Sequence, residues 1–216
     1  MSTVYDCGEL ADRAAGLAAA SGAVRAGRIV VLPTDTVYGI GCDAFDARAV
    51  RGLLEAKGRG PDMPVPVLVG SWTTVDGLVM SVPRQARALI EAFWPGGLSI
   101  VLQHAPSLAW DLGHTRGTVM LRMPLHPVAL ELLRDVGPMA VSSANKSGFP
   151  PAVTAADAVS QLGEEVSIYL DGGRCADNTA STIVDLTGPD PLVLREGAVP
   201  VQDVRDVLGG QVEVAR

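Results

Sequence analysis

Only two of the seventeen Lys and Arg residues are lysines, and one of them, Lys57, lies two positions before Arg59 in Ala56-Lys57-Gly58-Arg59-Gly60-Pro61. An ammonium is a compact point charge and a guanidinium is a planar fork, so a Lys-x-Arg pair in a glycine-rich loop offers two different grips on a polyphosphate. Upstream, Pro33-Thr34-Asp35-Thr36-Val37-Tyr38-Gly39 places two threonine hydroxyls just after a short apolar run. Downstream, Ser142, Ser143 and Asn145 follow Met139–Val141, Arg122 sits between Leu121 and Met123, and Arg195 follows Leu192–Leu194. A charge inside an otherwise apolar run needs a partner. Together these hydroxyls and cations suit a phosphorylated ligand. Taken singly, Thr-Asp-Thr and Ser-Ala-Asn-x-Ser-Gly also read as turns closed by side-chain-to-backbone bonds. Arg195 beside Glu196 also reads as a surface pair. The chain has no Walker A sequence and no Gly-x-Gly-x-x-Gly after a strand.

The elements that must position these residues alternate along the chain. Helices are expected over about 8–26, ending near Gly27, from Asp46 as cap to about Ala56 with Gly58 as stop, and from Pro83 to about Phe93,. Others are expected over His126–Val136, from Thr154 to about Leu162, and from near Val201, with a short one starting at Ser71. Strands are expected at Arg28–Pro33, Val65–Val69, Leu98–Gln103, Thr118–Met123, Met139–Ser142, Ser167–Leu170, Thr182–Leu186 and Leu192–Leu194. Interleaving of this kind predicts an α/β fold around one mixed sheet. In open α/β sheets ligands gather at the carboxyl ends of strands, which is where the polar residues fall. No repeat, low-complexity tract or linker interrupts the pattern, so one domain over 1–216 is expected.

Composition narrows the function. The net charge is −7 and 48% of residues are apolar. That balance predicts a full core and argues against a surface that binds nucleic acid mainly by neutralising phosphates. A local cluster of cations is the more informative in an acidic protein. Cys7, Cys42 and Cys175 are widely spaced, and His104, His114 and His126 show no metal-ligand spacing. Neither a disulfide framework nor a protein-held metal is expected, and the thiols fit a reducing cytosol. Asp6, Glu9 and Asp12 precede the alanine-rich run, unlike a signal peptide,. No apolar stretch approaches the ~20 residues of a membrane-spanning helix. A cytoplasmic protein is the expectation.

The order of the segments is more specific than any one of them. After Pro33–Gly39 and Lys57-Gly58-Arg59 come Phe93-Trp94-Pro95-Gly96, Leu121-Arg122-Met123-Pro124, and Ser143-Ala144-Asn145-x-Ser147-Gly148. Ser181-Thr182-Ile183-Val184-Asp185 and Leu194-Arg195-x-Gly197 complete the series. This succession resembles the YrdC family of threonylcarbamoyl-AMP synthases, from about Arg28 to Gly197. The resemblance implies a twisted, open mixed sheet with flanking helices and a concave, positively charged cavity. It implies synthesis of threonylcarbamoyl-AMP and pyrophosphate from L-threonine, bicarbonate and ATP, for threonylcarbamoyladenosine in tRNA. By motif, Thr36, Arg122 and Ser181 would hold threonine. Arg59, Thr118, Ser143 and Arg195 would hold ATP, Lys57 would lie near the phosphates, and Asn145 would line the same pocket. Lys57 and Arg59 would act in catalysis by neutralising the leaving pyrophosphate. A Mg²⁺ ion would accompany the phosphates, and a downstream threonylcarbamoyl-transferase machinery acting on tRNA would take the product.

The chain departs from the family pattern at two positions. Many relatives read Asp-Asn-Pro after the Lys-x-Arg, then a histidine four residues past that proline. Here Met63 and Leu68 occupy those positions, and neither can make the side-chain hydrogen bonds that asparagine and histidine would make. The alternative class is a module that binds double-stranded RNA or tRNA without catalysis, against which the net charge weighs.

Overall fold

Asp46 starts the helix that leads into Lys57. Its carboxylate accepts hydrogen bonds from the N–H groups of Arg48 (2.9 Å) and Ala49 (3.1 Å), satisfying donors that a helix start leaves free. Ala49, Val50, Leu53, Leu54 and Ala56 form its buried stripe. Thr154 starts another helix by a reciprocal capping box with Asp157,. In the computed structural model, which describes residues 2–175, 179–210 and 212–215, such helices alternate with strands as the pattern predicts.

The helices are α1 (Leu10–Arg25), α2 (Ala47–Ala56), α3 (Arg84–Phe93), α4 (Pro127–Val136), α5 (Ala155–Leu162) and α6 (Val201–Leu208). The strands are β1 (Thr3–Asp6), β2 (Val30–Leu32), β3 (Gly39–Asp43), β4 (Val67–Leu68), β5 (Leu98–Gln103) and β6 (Thr118–Arg122). Then follow β7 (Met139–Ser143), β8 (Ile168–Asp171), β9 (Thr182–Asp185), β10 (Leu192–Arg195) and β11 (Glu213–Val214). All join one mixed sheet in the order β1-β8-β2-β3-β7-β4-β6-β5-β9-β10-β11.

Three of these strands were not expected from sequence: β1, β3 and β11. The expected strand Val65–Val69 shortens to Val67–Leu68, because Pro64 and Pro66 bring no N–H to a ladder,. The segment Ser71 starts is a 3₁₀ turn over Trp72–Gly77, with the Ser71 hydroxyl accepting from the Thr73 N–H.

Successive strand residues point to opposite faces, and the two faces are covered differently. On one face, Val31, Ile40, Cys42, Ala140, Tyr169, Leu121 and Ile100 pack under α2, α3, α5 and α6. On the other face, Val30, Leu32, Leu68, Met139, Val141, Ile168 and Leu170 pack under α1 and α4. Those two helices cover only the half of this second face that runs from β1 to β4. α1 approaches closely there because Gly16 has no side chain: a Cβ would stand 2.7 Å from Tyr5 Cβ. Over β6, β5 and β9 the second face carries no helix, and the concavity lies there.

Candidate active site

Alternation decides which side chains reach the open face. In β6, Val119 and Leu121 face the helix-covered core, so Thr118, Met120 and Arg122 share the opposite face. Ser99 of β5, Ile183 of β9 and the end of β7 border the same space. A cavity of about 320 Å³ results, and Thr36, Arg59, Arg122, Ser143, Ser181 and Arg195 all line it. These six come from six separate stretches of chain.

Arg122 is 7% exposed. Its Nε donates to the Gly96 carbonyl (2.9 Å), Nη1 to Thr36 Oγ1 (2.9 Å) and Nη2 to Asp35 Oδ1 (2.7 Å). Burial lowers its pKa, and the Asp35 carboxylate pushes it back up. Thr36 Oγ1 lies 3.1 Å from Thr34 Oγ1, whose hydroxyl donates to the Val37 carbonyl. Arg59 donates from Nη1 to Ser142 Oγ (3.2 Å), while its buried Nε has no partner among the described residues. Burial lowers the Arg59 pKa. Arg195 donates from Nε and Nη2 to the Ser181 carbonyl (3.1 and 2.8 Å). Ser181 Oγ lies 2.9 Å from Ser99 Oγ. Burial, and then the nearby charge of Arg122, lower the Arg195 pKa.

Lys57, Thr118 and Asn145 are not among the residues lining the cavity. The Lys57 ammonium turns behind the wall and donates to the carbonyls of Ser143 and Asn145 (2.7 Å to the latter) and to Asn145 Oδ1 (3.3 Å). A buried ammonium must find acceptors, and the exit of β7 supplies them. Asn145 Oδ1 also accepts from the Ser143 hydroxyl, and Asn145 Nδ2 donates to the carbonyls of Lys146 and Phe149. Asn145 is therefore the hub of its own loop, where a cavity-lining side chain was expected. Thr118 bonds the Thr115 carbonyl at 2.8 Å.

Several lining residues carry little signal in the sequence. Thr34 and Ser142 stand out there only as strand-end hydroxyls. Ser99 sits between Leu98 and Ile100, and a serine in an apolar strand was the available signal. Met120 could have been found from its two-residue spacing to Arg122. With Pro64, Pro66, Leu68, Val141 and Ile183, Met120 gives the cavity an apolar wall. Leu68 thus lines the cavity, whereas Met63 is 54% exposed and lies outside the lining.

Among the described residues the lining therefore offers three guanidiniums, six Ser and Thr hydroxyls and an apolar wall, without a carboxylate, imidazole or thiol. Such a surface suits the gripping and positioning of anions. Among the described residues no group of His, Cys, Asp or Glu is placed to hold a metal ion. No described helix is long and apolar enough to cross a membrane.

A mixed α/β sheet with an arginine-rich cavity at its strand ends defines a class of proteins that bind small anionic ligands. The profile of the Sua5/YciO/YrdC family, described as "Telomere recombination", matches residues 22–197. The chain belongs to this family. It is 62% identical over 209 residues to a provisionally named threonylcarbamoyl-AMP synthase of Mycobacterium tuberculosis, covering 97% of this chain and 96% of that protein. It is 36% identical to a threonylcarbamoyl-AMP synthase of Pyrococcus abyssi, covering 88% of this chain and 56% of that one. The crystal structure of P. abyssi Sua5 complexed with L-threonine superposes with a TM-score of 0.91 at 32% identity. That match covers 100% of this chain and 62% of that one, so the chain spans less than two thirds of the archaeal protein. E. coli YciO, with a TM-score of 0.82 at 23% identity over 94% of this chain and 98% of its own, shares the fold.

Proposed function

We propose that this protein is an L-threonylcarbamoyladenylate synthase, a nucleotidyltransferase that forms threonylcarbamoyl-AMP and pyrophosphate from L-threonine, bicarbonate and ATP. The observation that carries this reading is the convergence of Arg59, Arg122 and Arg195 on one hydroxyl-lined cavity. It is supported by the family, by the names of the relatives and by the L-threonine complex of P. abyssi Sua5.

The chemistry needs such a cavity. The threonine amine adds to the bicarbonate carbon and water is lost, giving a carbamate. A carbamate oxygen then attacks the α-phosphorus, the bond from that phosphorus to the bridging oxygen breaks, and pyrophosphate leaves. Threonine carboxylate, carbamate and triphosphate repel one another unless fixed cations hold them in a near-attack geometry. In this reading Arg122 and Thr36 take the threonine carboxylate and Ser181 its hydroxyl. Arg59, Ser143 and Arg195 take the nucleotide, with Thr118 at the far end of β6. Arg59 stabilises charge developing on the phosphates. Lys57 and Asn145 contribute from behind, by holding Ser143 in place. The described residues form no carboxylate cage, and in this reading Mg²⁺ would enter as the metal complex of ATP,. The product would pass, in the cytoplasm, to a transferase acting on tRNA.

The test is pyrophosphate release with each substrate omitted in turn. Release should require all three. ATP consumption that persists at the full rate without threonine would sink the proposal.

A further inference from the structure

A second cavity of about 560 Å³ lies on the other side of the Thr34–Thr36 segment. Thr34 and Thr36 line both cavities, whereas Asp35 lines only the second and Arg122 only the first. The segment is thus a thin partition. Three residues hold Arg122: Gly96 at Nε, Thr36 at Nη1 and Asp35 at Nη2. All three line the second cavity. The guanidinium is therefore gripped from behind the partition. Of its five N–H groups, these three bonds leave two, one on each terminal nitrogen, a geometry suited to a bidentate carboxylate.

Asp35 does more than balance charge. Its Oδ1 also accepts from the Leu125 N–H at 2.9 Å. One oxygen thereby ties the β2–β3 loop both to the last residue of β6 and to the turn into α4. Gly96 offers Arg122 only a neutral carbonyl and Thr36 only a hydroxyl, so the Asp35 contact is the one bond in the set that joins two charged groups,.

We infer that Asp35 is a positioning residue for amino-acid recognition, setting the plane of the Arg122 guanidinium from outside the substrate cavity. This rests on the proposed assignment of Arg122 to the threonine carboxylate. An amino acid bound in the first cavity need not displace Asp35, because the carboxylate stands on the far side of the partition. Asp35→Asn keeps an oxygen acceptor for both Arg122 and Leu125 with nearly unchanged shape. Asp35→Ala removes the acceptor and frees the guanidinium to turn.

The experiment is steady-state pyrophosphate release by the full chain, with threonine and ATP varied separately, for wild type, Asp35→Ala and Asp35→Asn. The expected result is a threonine KM raised at least tenfold in Asp35→Ala, an ATP KM within twofold of wild type, and a threonine KM within threefold in Asp35→Asn. Equal rises in both KM values, or a fall in kcat alone, would overturn the assignment. So would an Asp35→Asn variant as impaired as Asp35→Ala, since charge rather than orientation would then be what Asp35 supplies. Should Asp35→Ala fail to fold, the Asp35→Asn limit alone decides. Calorimetric titration of L-threonine into wild type and Asp35→Asn needs no turnover. It separates failure of this inference from failure of the proposed reaction: wild type that binds threonine without making pyrophosphate leaves the Asp35 comparison intact.

Discussion

Lys57 keeps a cation where only 2% of the residue meets solvent. Burial first, and the charge of Arg59 second, push its pKa from 10.5 down to about 8. Between those two values the unfolded chain holds a proton that the folded chain has released. The burial cost is therefore present in full below pH 8 and is relieved as pH rises toward 10.5, a swing of about 3 kcal/mol in favour of the fold,. Activity should move the other way. Above about pH 8 the ammonium becomes an amine, its charge is lost, and the Ser143–Asn145 corner loosens. A pH profile of kcat/KM for ATP should show an alkaline limb near pH 8 in wild type that disappears in Lys57→Met, whose plateau should lie at least tenfold lower, or ~1.4 kcal/mol in barrier,. An unchanged limb in Lys57→Met would assign that titration to another group. At this scale the sequence identified which residue types mattered. It could not say that Lys57 would point away from the cavity while Arg59, two positions on, pointed into it.

The strand β3 shows the limit at the scale of elements. Gly39-Ile40-Gly41-Cys42-Asp43 has two glycines, which weaken a strand taken alone, and only its setting explains it. Gly39 pairs with Ser143 and Gly41 with Val141 in the antiparallel β3–β7 ladder. A Cβ on Gly39 would stand 2.6 Å from Val141 Cγ1, and one on Gly41 2.8 Å from Val141 Cγ2. Val141 thus lies across both glycines, and a β-branched side chain has little freedom to move aside. Gly39→Ala should cost 1–3 kcal/mol of stability, on the scale of about one overpacked methyl. Both Gly39 and Val141 line the cavity, so activity should fall with it. Adding Val141→Ala should restore part of the loss, as expected for two groups in direct contact. Urea unfolding of the single and double variants checks this; strictly additive losses would show that the two sites do not meet. The helix caps, by contrast, are local devices, and Asp46 and Thr154 were readable because each needs only its next few residues.

The whole molecule carries a net charge of −7 yet gathers three arginines around one cavity. That combination favours small anionic ligands held inside over a long polyanion held across the surface. Between 50 and 200 mM salt, binding through many phosphate contacts loses about 10³–10⁵ in affinity. Turnover in a sheltered cavity should change far less, by about threefold or under on the argument that buried charges are weakly screened. Measuring threonine-dependent pyrophosphate release beside tRNA binding over that range tests it. A turnover that collapses in parallel with tRNA binding would favour the RNA-binding reading.

What the sequence determined by itself was whatever is encoded by near neighbours and by order. The helix starts, most of the strands, the alternation of the two and the family-specific succession from Thr36 to Arg195 all belong here. Tertiary structure alone decided which faces meet. Lys57 reaches Asn145 across 88 positions, and Arg122 reaches Asp35 across 87. Those contacts depend on how β3, β7 and β6 are ordered in the sheet and on which half of one face α1 and α4 leave bare. Strand order and register come from packing summed over the whole core, and no short stretch of chain contains that sum.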